Sequence, residues 1–302
     1  MPSPPWARQT RKQGAAGERL AVHWLTKGFL DLLFPPRCLV CRRFGEQPLC
    51  GTCSAQVELI RPPLCHRCGI PFDPQARGGP LCASCRQAQR LPYAIGRSVA
   101  RYEGAAREAV HRLKYDGKRV LCNVLGEMMA SALLGQEASH HGDQGSCPTK
   151  LDDGRGEERA SADGGANEAP RAPEIPFDRL SLIVPVPLHP VRARERGFNQ
   201  AELLCGPLAR RAGVPVAIHC LQRVKLNPPQ VAIPAKLRRA NVRGAFAVTD
   251  PPAVADRMVL VFDDVWTTGA TLLECARVLR QAGAAEVYLL SLCRTVRPAP
   301  AL

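Results

Sequence analysis

The stretch Val259-Leu260-Val261-Phe262-Asp263-Asp264-Val265-Trp266-Thr267-Thr268-Gly269-Ala270-Thr271-Leu272 decides how this 302-residue chain is read. Its first four residues, with Met258 before them, have the composition of a buried strand. The strand delivers two adjacent carboxylates, and a short Thr/Gly turn opens directly into a helical pattern. In that pattern Leu272, Cys275, Ala276 and Leu279 share one face, and Gly283 marks the stop. A helix N-terminus leaves backbone N–H groups unpaired and carries a partial positive charge, so Thr267, Thr268, Gly269, Ala270 and Thr271 can wrap a phosphate monoester. Gly269 lets the backbone approach closely, and the threonine hydroxyls add donors. Asp263 and Asp264 stand one strand end away, suited to sugar hydroxyls directly or through a metal ion. A Gly turn more commonly marks a plain strand-to-helix connection, but paired acids at a buried strand end need a partner.

Working outward, LSLIVPVP (from Leu180) and EVYLLSLC (from Glu286) read as further apolar strands, and RERGFNQAELLCGPLARRAG (from Arg194) as a helix closed by Gly213. Upstream, AIGRSVARY (from Ala94) is strand-like, AAREAVHRLKY (from Ala105) helix-like, and a second helix runs from Val120 to Leu134 after the turn signal Asp116-Gly117. Strands alternating with helices predict an α/β domain over 94–298, with a parallel sheet covered by helices on both faces. Ligands of such sheets bind at the carboxyl edge of the strands, where the Asp263 turn falls. Residues 135–174 interrupt the pattern with nine acidic and four basic residues and almost no large apolar one, the signature of a disordered insertion.

The formal net charge is +14, and without that insertion 37 basic residues face 18 acidic ones, a net of +19. Such a body attracts polyanions, either nucleotide phosphates or nucleic acid, although an Arg-rich surface also serves solubility. No window approaches the roughly 18 apolar residues of a membrane span. Residues 1–17 are basic and lack an apolar core with a small-residue cleavage site, so they read as a disordered leader rather than a signal peptide, and a cytoplasmic protein is expected. An amphipathic helix follows over 18–36, with Leu20, Trp24, Leu25, Phe29, Leu32 and Leu33 at helical spacing and Pro35 and Pro36 ending it.

Eight of the 14 cysteines form four C-x-x-C pairs, Cys38/Cys41, Cys50/Cys53, Cys65/Cys68 and Cys82/Cys85. In a large chain for which no signal peptide is expected, this pattern points to metal rather than disulfides. Two pairs supply four thiolates, so the segment 37–90 is a small double zinc ribbon with two tetrahedral sites. Sequential pairing is expected, with interleaved pairing open as the alternative. Gly45, Gly51 and Gly69 lie where the knuckle turns need positive φ. Zinc would hold together a segment too poor in core residues to fold alone. Arg37, Arg42, Arg43, Arg67 and Arg86, interleaved with the ligands, offer a second role in contacting nucleic acid or protein.

The Asp263 stretch resembles the phosphoribosyl-pyrophosphate motif of type I phosphoribosyltransferases. That resemblance implies that Asp263 and Asp264 contact the ribose 2- and 3-hydroxyls and that Thr267 to Thr271 hold the 5-phosphate. Trp266 departs from the motif, which usually has a small aliphatic there; the ring either adjusts packing or narrows the pocket. Thr267 stands where purine-type members commonly carry an Asp, which argues against purine salvage. IVPVPLHPVRARERGFNQAE resembles the family's pyrophosphate loop, implying roles for Val186, Pro187, Leu188 and His189 in the turn and for Arg192, Arg194 and Arg196 on phosphate. LQRVKLNPPQVAIPAKLRRANVRGAF resembles its mobile flap, with Lys225, Gln230, Arg239 and Asn241 as candidates.

Taken in order, LLFPPRCLVC, the knuckles, ARYEGAAREAVHRLKYDGK, IVPVPLHPVRARERGFNQAE, NPPQ…LRRANVRGAF and DDVWTTGAT resemble the ComF family, which joins a zinc-binding segment to a type I phosphoribosyltransferase-like domain. The resemblance implies zinc in two structural sites and phosphoribosyl pyrophosphate bound with Mg²⁺. It also implies a link to uptake of single-stranded DNA in natural transformation, with an unknown acceptor. If the chain is an enzyme, pyrophosphate leaves C1 of the ribose through an oxocarbenium-like transition state. The competing class is a non-catalytic module in which the phosphoribosyl site is regulatory and the basic ribbon touches single-stranded DNA or a DNA-uptake helicase.

Overall fold

The computed structural model describes residues 35–45, 47–72, 79–88, 90–135, 172–226 and 238–296. The expected leader (1–17), the apolar-periodic helix over 18–36 apart from Pro35 and Pro36, nearly all of the 135–174 insertion, and Gln230 lie outside the described residues.

The two cysteine modules are built from the same run of backbone hydrogen bonds. In the first, Cys38 N–H donates to the Arg43 carbonyl and Arg42 N–H to Cys38; in the second, Cys65 N–H donates to Ile70 and Gly69 N–H to Cys65. Cys50 and Cys82 then cap the one-turn helices α1 (Gly51–Ala55) and α2 (Ala83–Gln87), and their N–H groups point at Cys38 Sγ (3.4 Å) and Cys65 Sγ (3.3 Å). Gly69 has the positive φ expected of it, at 66°. Gly51 instead opens α1, and the knuckle position matching Gly69 in the first module is Arg42, a non-glycine residue at φ 62°.

Beyond the ribbon come β1 (Gly96–Arg101), α3 (Gly104–Tyr115), α4 (Val120–Leu134), a 3-10 turn at Phe177–Arg179, β2 (Leu182–Pro185), α5 (Pro190–Arg196) and α6 (Gln200–Ala212). They are followed by β3 (Leu221–Arg223), α7 (Arg238–Val242), β4 (Phe246–Val248), β5 (Met258–Trp266), α8 (Ala270–Gln281) and β6 (Glu286–Arg294). Three parallel pairings join four strands into one sheet in the order β1-β6-β5-β2, while β3 and β4 form a small antiparallel hairpin. The α/β class with a parallel sheet, helices and a preceding cysteine ribbon is therefore what the chain adopts. The helix expected from Arg194 to Gly213 is two helices: Gly197, left-handed at φ 73°, ends α5, and the Asn199 side chain accepts from Ala201 N–H to start α6.

Alternation along the strands sorts apolar side chains to two faces. On one face Ile183, Leu260, Phe262, Leu290 and Leu292 pack with Val110 and Leu113 of α3, Leu125 and Met129 of α4, and Leu204 and Leu208 of α6. On the other, Val184, Val259, Val261, Val287 and Leu289 meet Leu272, Cys275, Ala276 and Leu279 of α8, together with Leu221 and Phe246 of the hairpin. The ribbon straddles the sheet. Cys38, Leu49, Cys53 and Val57 of the first module belong to the first cluster, and Cys65, Cys68 and Cys85 of the second module to the other. Between the modules the chain runs antiparallel along β1, with Ile60 N–H donating to Val99 and Arg101 N–H to Glu58, both at 2.8 Å. An otherwise open sheet edge is thus covered. Among the described residues no helix is long and apolar enough to cross a membrane.

Because both modules contribute buried sulfur to the two sides of one sheet, the ribbon and the sheet domain should unfold together. Removal of zinc with a chelator is expected to lower the melting temperature of the whole chain in a single far-UV circular dichroism transition. A sheet domain that melts unchanged after zinc loss would contradict this packing.

Candidate functional site

The eight knuckle cysteines gather as Cys38, Cys41, Cys50, Cys53 and as Cys65, Cys68, Cys82, Cys85, the sulfurs of each group lying within 4.8 Å of one another. This is the sequential grouping. Four sulfurs about 2.3 Å from a central zinc define a tetrahedron with edges of about 3.8 Å. The sulfurs of Cys41 and Cys50, and those of Cys68 and Cys82, lie 3.7 Å apart. The donor set and spacing fit zinc at both sites. In the second, hydrogen bonding from the Cys68 thiol outweighs burial, and with the N–H groups of Cys68 and Cys82 it holds the Cys65 thiol below its ordinary range, while that same hydrogen bond and burial push Cys68 up and burial pushes Cys85 up.

The second site sits at the carboxyl end of β5. That strand is flanked by β2 and β6, so its last residues emerge from the middle of the sheet. Asp264 is 3% exposed, and Lys114, in the last turn of α3, reaches both of its oxygens, Oδ1 at 3.0 Å and Oδ2 at 2.8 Å. Burial works to lower the Lys114 pKa, but Asp264 outweighs it and the ammonium is held charged. Asp263 is half-buried, and its Oδ1 accepts from the Asp264 N–H at 2.8 Å. Burial first, and then the negative charge of Asp264, hold its carboxyl above the ordinary range, with Lys114 pulling the other way.

Thr267, Thr268 and Gly269 form the turn, and Ala270 and Thr271 begin α8. Gly269 takes φ 77° as the helix N-cap, and no side chain caps the helix. A Cβ at Gly269 would stand 2.5 Å from Trp266 Nε1, so both conformation and space require glycine here. The Thr268 hydroxyl oxygen is buried without a hydrogen-bond partner. An uncapped helix end with an orphaned hydroxyl suits an oxyanion.

Trp266 backs this turn. It is 4% exposed, edge-on to Tyr93 with ring centroids 6.2 Å apart, and lies under the Arg294 guanidinium at 4.3 Å. Arg294 in turn donates to the carbonyl of Cys68. The unusual residue is therefore packing, and it ties the turn to the second zinc knuckle.

Val186 to His189 connect β2 to α5, and because Pro185 pairs with Phe262 the turn starts next to Asp263. Val186 N–H donates to the Phe262 carbonyl (2.8 Å), Asn199 holds the Val186 carbonyl (3.2 Å), and His189 Nδ1 caps α5 by accepting from Val191 N–H (3.3 Å). Pro187 and Leu188 are half-buried between these anchors. Of the α5 arginines, Arg194 is exposed, Arg196 is engaged with Gln200 Oε1 (2.6 Å), and Arg192 lies near enough to Arg223 that its charge lowers the Arg223 pKa, after burial. Arg223 also feels the charge of Asp263, an influence smaller than burial and the charge of Arg192. Among the flap candidates Lys225 donates to the Arg243 carbonyl (3.2 Å), Asn241 is half-buried in α7, and the Arg239 side chain lies outside the described residues. A cleft of about 990 Å³ opens alongside α8, with Arg90, Lys225, Arg243 and Arg277 around Leu91, Val242, Ala270 and Leu273. Sequence reasoning missed Lys114 and Arg119, the latter bonded to the Gly197 carbonyl at 2.6 Å. Lys114 adjoins the buried Val110 and Leu113 on α3, a border position that hints at inward reach.

The raised Asp263 pKa carries a sign. The folded state holds this proton more tightly than the unfolded chain, so stability falls as pH rises from the unfolded value of about 3.9 through the folded one. Asp263→Asn is expected to raise the neutral-pH melting temperature of the ligand-free protein, by roughly 2 to 4 °C for each kcal/mol relieved, with the gain vanishing below the ordinary carboxylate range. Melting curves across pH check this; a gain that grows on acidification would contradict it.

Comparison with known proteins follows the same two halves. The double zinc ribbon domain family matches residues 29–86. The DNA utilization protein YhgH of Salmonella typhi is 31% identical over 271 residues, covering 88% of this chain and 100% of the relative. Competence protein F of Haemophilus influenzae is 27% identical, covering 85% of this chain and 96% of the relative, and competence protein ComFC of Bacillus subtilis is 25% identical, covering 83% and 85%. Relatives of this kind, up to 31% identical across most of this chain and most or all of their own length, show that the chain belongs to the ComF family.

Proposed function

We propose that the turn from Asp263 to Thr271 binds the phosphoribosyl group of 5-phosphoribosyl-1-pyrophosphate, with Mg²⁺ accompanying the pyrophosphate, and that the chain uses this site in handling DNA taken up by the cell. The observation that carries the reading is the junction itself. Two acids lie near the end of a buried strand, and three turn residues past its last residue, Trp266, an uncapped helix starts beside the orphaned Thr268 hydroxyl. In this reading Asp263 and Asp264 accept hydrogen bonds from the ribose 2- and 3-hydroxyls, and the N–H groups and hydroxyls of Thr267, Thr268, Gly269, Ala270 and Thr271 hold the 5-phosphate. The Val186–His189 turn and Arg192 face the pyrophosphate, with Arg194 and Arg196 behind them on α5. Lys225, Gln230, Arg239 and Asn241 belong to a flap that excludes water. Thr267 in place of an acid disfavours a purine acceptor. The link to DNA rests on relatives named for DNA utilization and competence.

Ligand at about 100 times its Kd adds about 2.7 kcal/mol of stability, so phosphoribosyl pyrophosphate with Mg²⁺ is expected to raise the melting temperature by roughly 5 to 10 °C. The double variant Asp263→Asn, Asp264→Asn should show no such rise. A wild-type protein that does not respond would sink the reading.

A second reading, a non-catalytic module for single-stranded DNA or a DNA-uptake helicase, is favoured by the cleft along α8. There Arg90, Lys225, Arg243 and Arg277 surround an apolar floor, and Glu274, the acid in its lining, is already paired with Arg277. An aromatic content of 5% is low for a stacking platform. If this cleft tracks phosphates, Arg90→Ala with Arg243→Ala should reduce the salt slope of oligonucleotide binding by about 0.7 per lost contact. An unchanged slope would place DNA elsewhere.

A further inference from the structure

The segment HRLKYDGK, at the end of α3, supplies the ion pair that the acid pair depends on. Lys114 Nζ touches both oxygens of Asp264, at 3.0 and 2.8 Å, and the two side chains are 20% and 4% exposed. The contact spans 150 positions of sequence and joins a helix to the end of an interior strand. Asp264 then fixes its neighbour, because its N–H donates to Asp263 Oδ1 at 2.8 Å. On its other sides the Asp264 charge raises the pKa values of Tyr102, Cys122 and Cys293, in each case after burial. Arg223 feels the charge of Asp263.

Two adjacent carboxylates without a counter-ion are a hard-cation site, because oxygen ligands of net charge −2 gather Mg²⁺ or Ca²⁺. With one carboxylate committed to an ammonium, the pair presents at most one negative charge and keeps acceptor lone pairs for hydroxyl donors. We propose that Lys114 is the built-in counter-ion of the acid pair: by holding both oxygens of Asp264 it makes the end of β5 a receptor for an uncharged vicinal diol and prevents it from collecting a divalent cation. Lys114 is in this sense a positioning residue that acts through Asp264. The inference rests on the phosphoribosyl reading for the identity of the diol, but its charge argument is independent of it.

The test uses Mn²⁺ alone, followed by electron paramagnetic resonance on the zinc-loaded full chain without sugar phosphate. Wild type should hold no more Mn²⁺ than Asp263→Asn, Lys114→Met should gain a site that Asp263→Asn removes, and Lys114→Arg should behave as wild type. Ribose 5-phosphate, titrated separately, should bind Lys114→Met about ten-fold more weakly or worse and Lys114→Arg nearly as well as wild type. Mn²⁺ held by wild type and released by Asp263→Asn would overturn the proposal, and this arm decides even if Lys114→Met fails to fold. Unaltered ribose 5-phosphate affinity in a folded Lys114→Met would overturn it as well. Wild type that ignores ribose 5-phosphate would count against the phosphoribosyl reading, leaving the Mn²⁺ arms to judge Lys114.

Discussion

The ion pair between Lys114 and Asp264 is the constraint around which the sheet domain is arranged. An acid at 3% exposure cannot stay ionised without a partner, and the partner comes from α3, a helix that must therefore lie across the end of β5. The apolar stripe of α3, with Ala109, Val110 and Leu113 fully buried, fixes that position from the opposite direction. Packing and charge agree on one placement. The cost of burying two acids is what the fold concedes to keep them at the mouth of the helix that follows.

Behind the same turn, Trp266 transmits the position of the ribbon. Its ring fills the space between Tyr93, Gly96 and Gly269, and Arg294 links its face to the carbonyl of Cys68. A structural zinc contributes about 10 to 16 kcal/mol of apparent binding free energy, so the knuckle is a rigid abutment. Zinc therefore helps to shape the turn from Thr267 to Gly269 from behind.

Much of this was legible in the sequence. The ends of β5, α8 and α4 follow from apolar runs and glycine stops, and the cysteine spacing favoured the sequential grouping that the sulfurs adopt. The break at Gly197 was visible as a glycine followed by an Asn cap, but the apolar pattern on either side suggested one helix. The β3–β4 hairpin was passed over because three-residue strands carry too little alternation to be told from loop. Lys114 was out of reach for another reason: a surface lysine on an amphipathic helix is the ordinary case, and its partner lies 150 residues away. Trp266 posed a question that only its neighbours could answer, since those neighbours come from the ribbon exit and from β6.

The functional reading ties these parts together. A ribbon braces the back of a turn, a lysine sets the charge of the acids in front of it, and an uncapped helix end lies beside them. The most direct measurement is a crystal structure of the full chain with ribose 5-phosphate. The account predicts the phosphate against the backbone N–H groups from Thr268 to Thr271, with the 2- and 3-hydroxyls on Asp263 and Asp264. A sugar phosphate bound elsewhere, or none at this turn under saturating ligand, would contradict it.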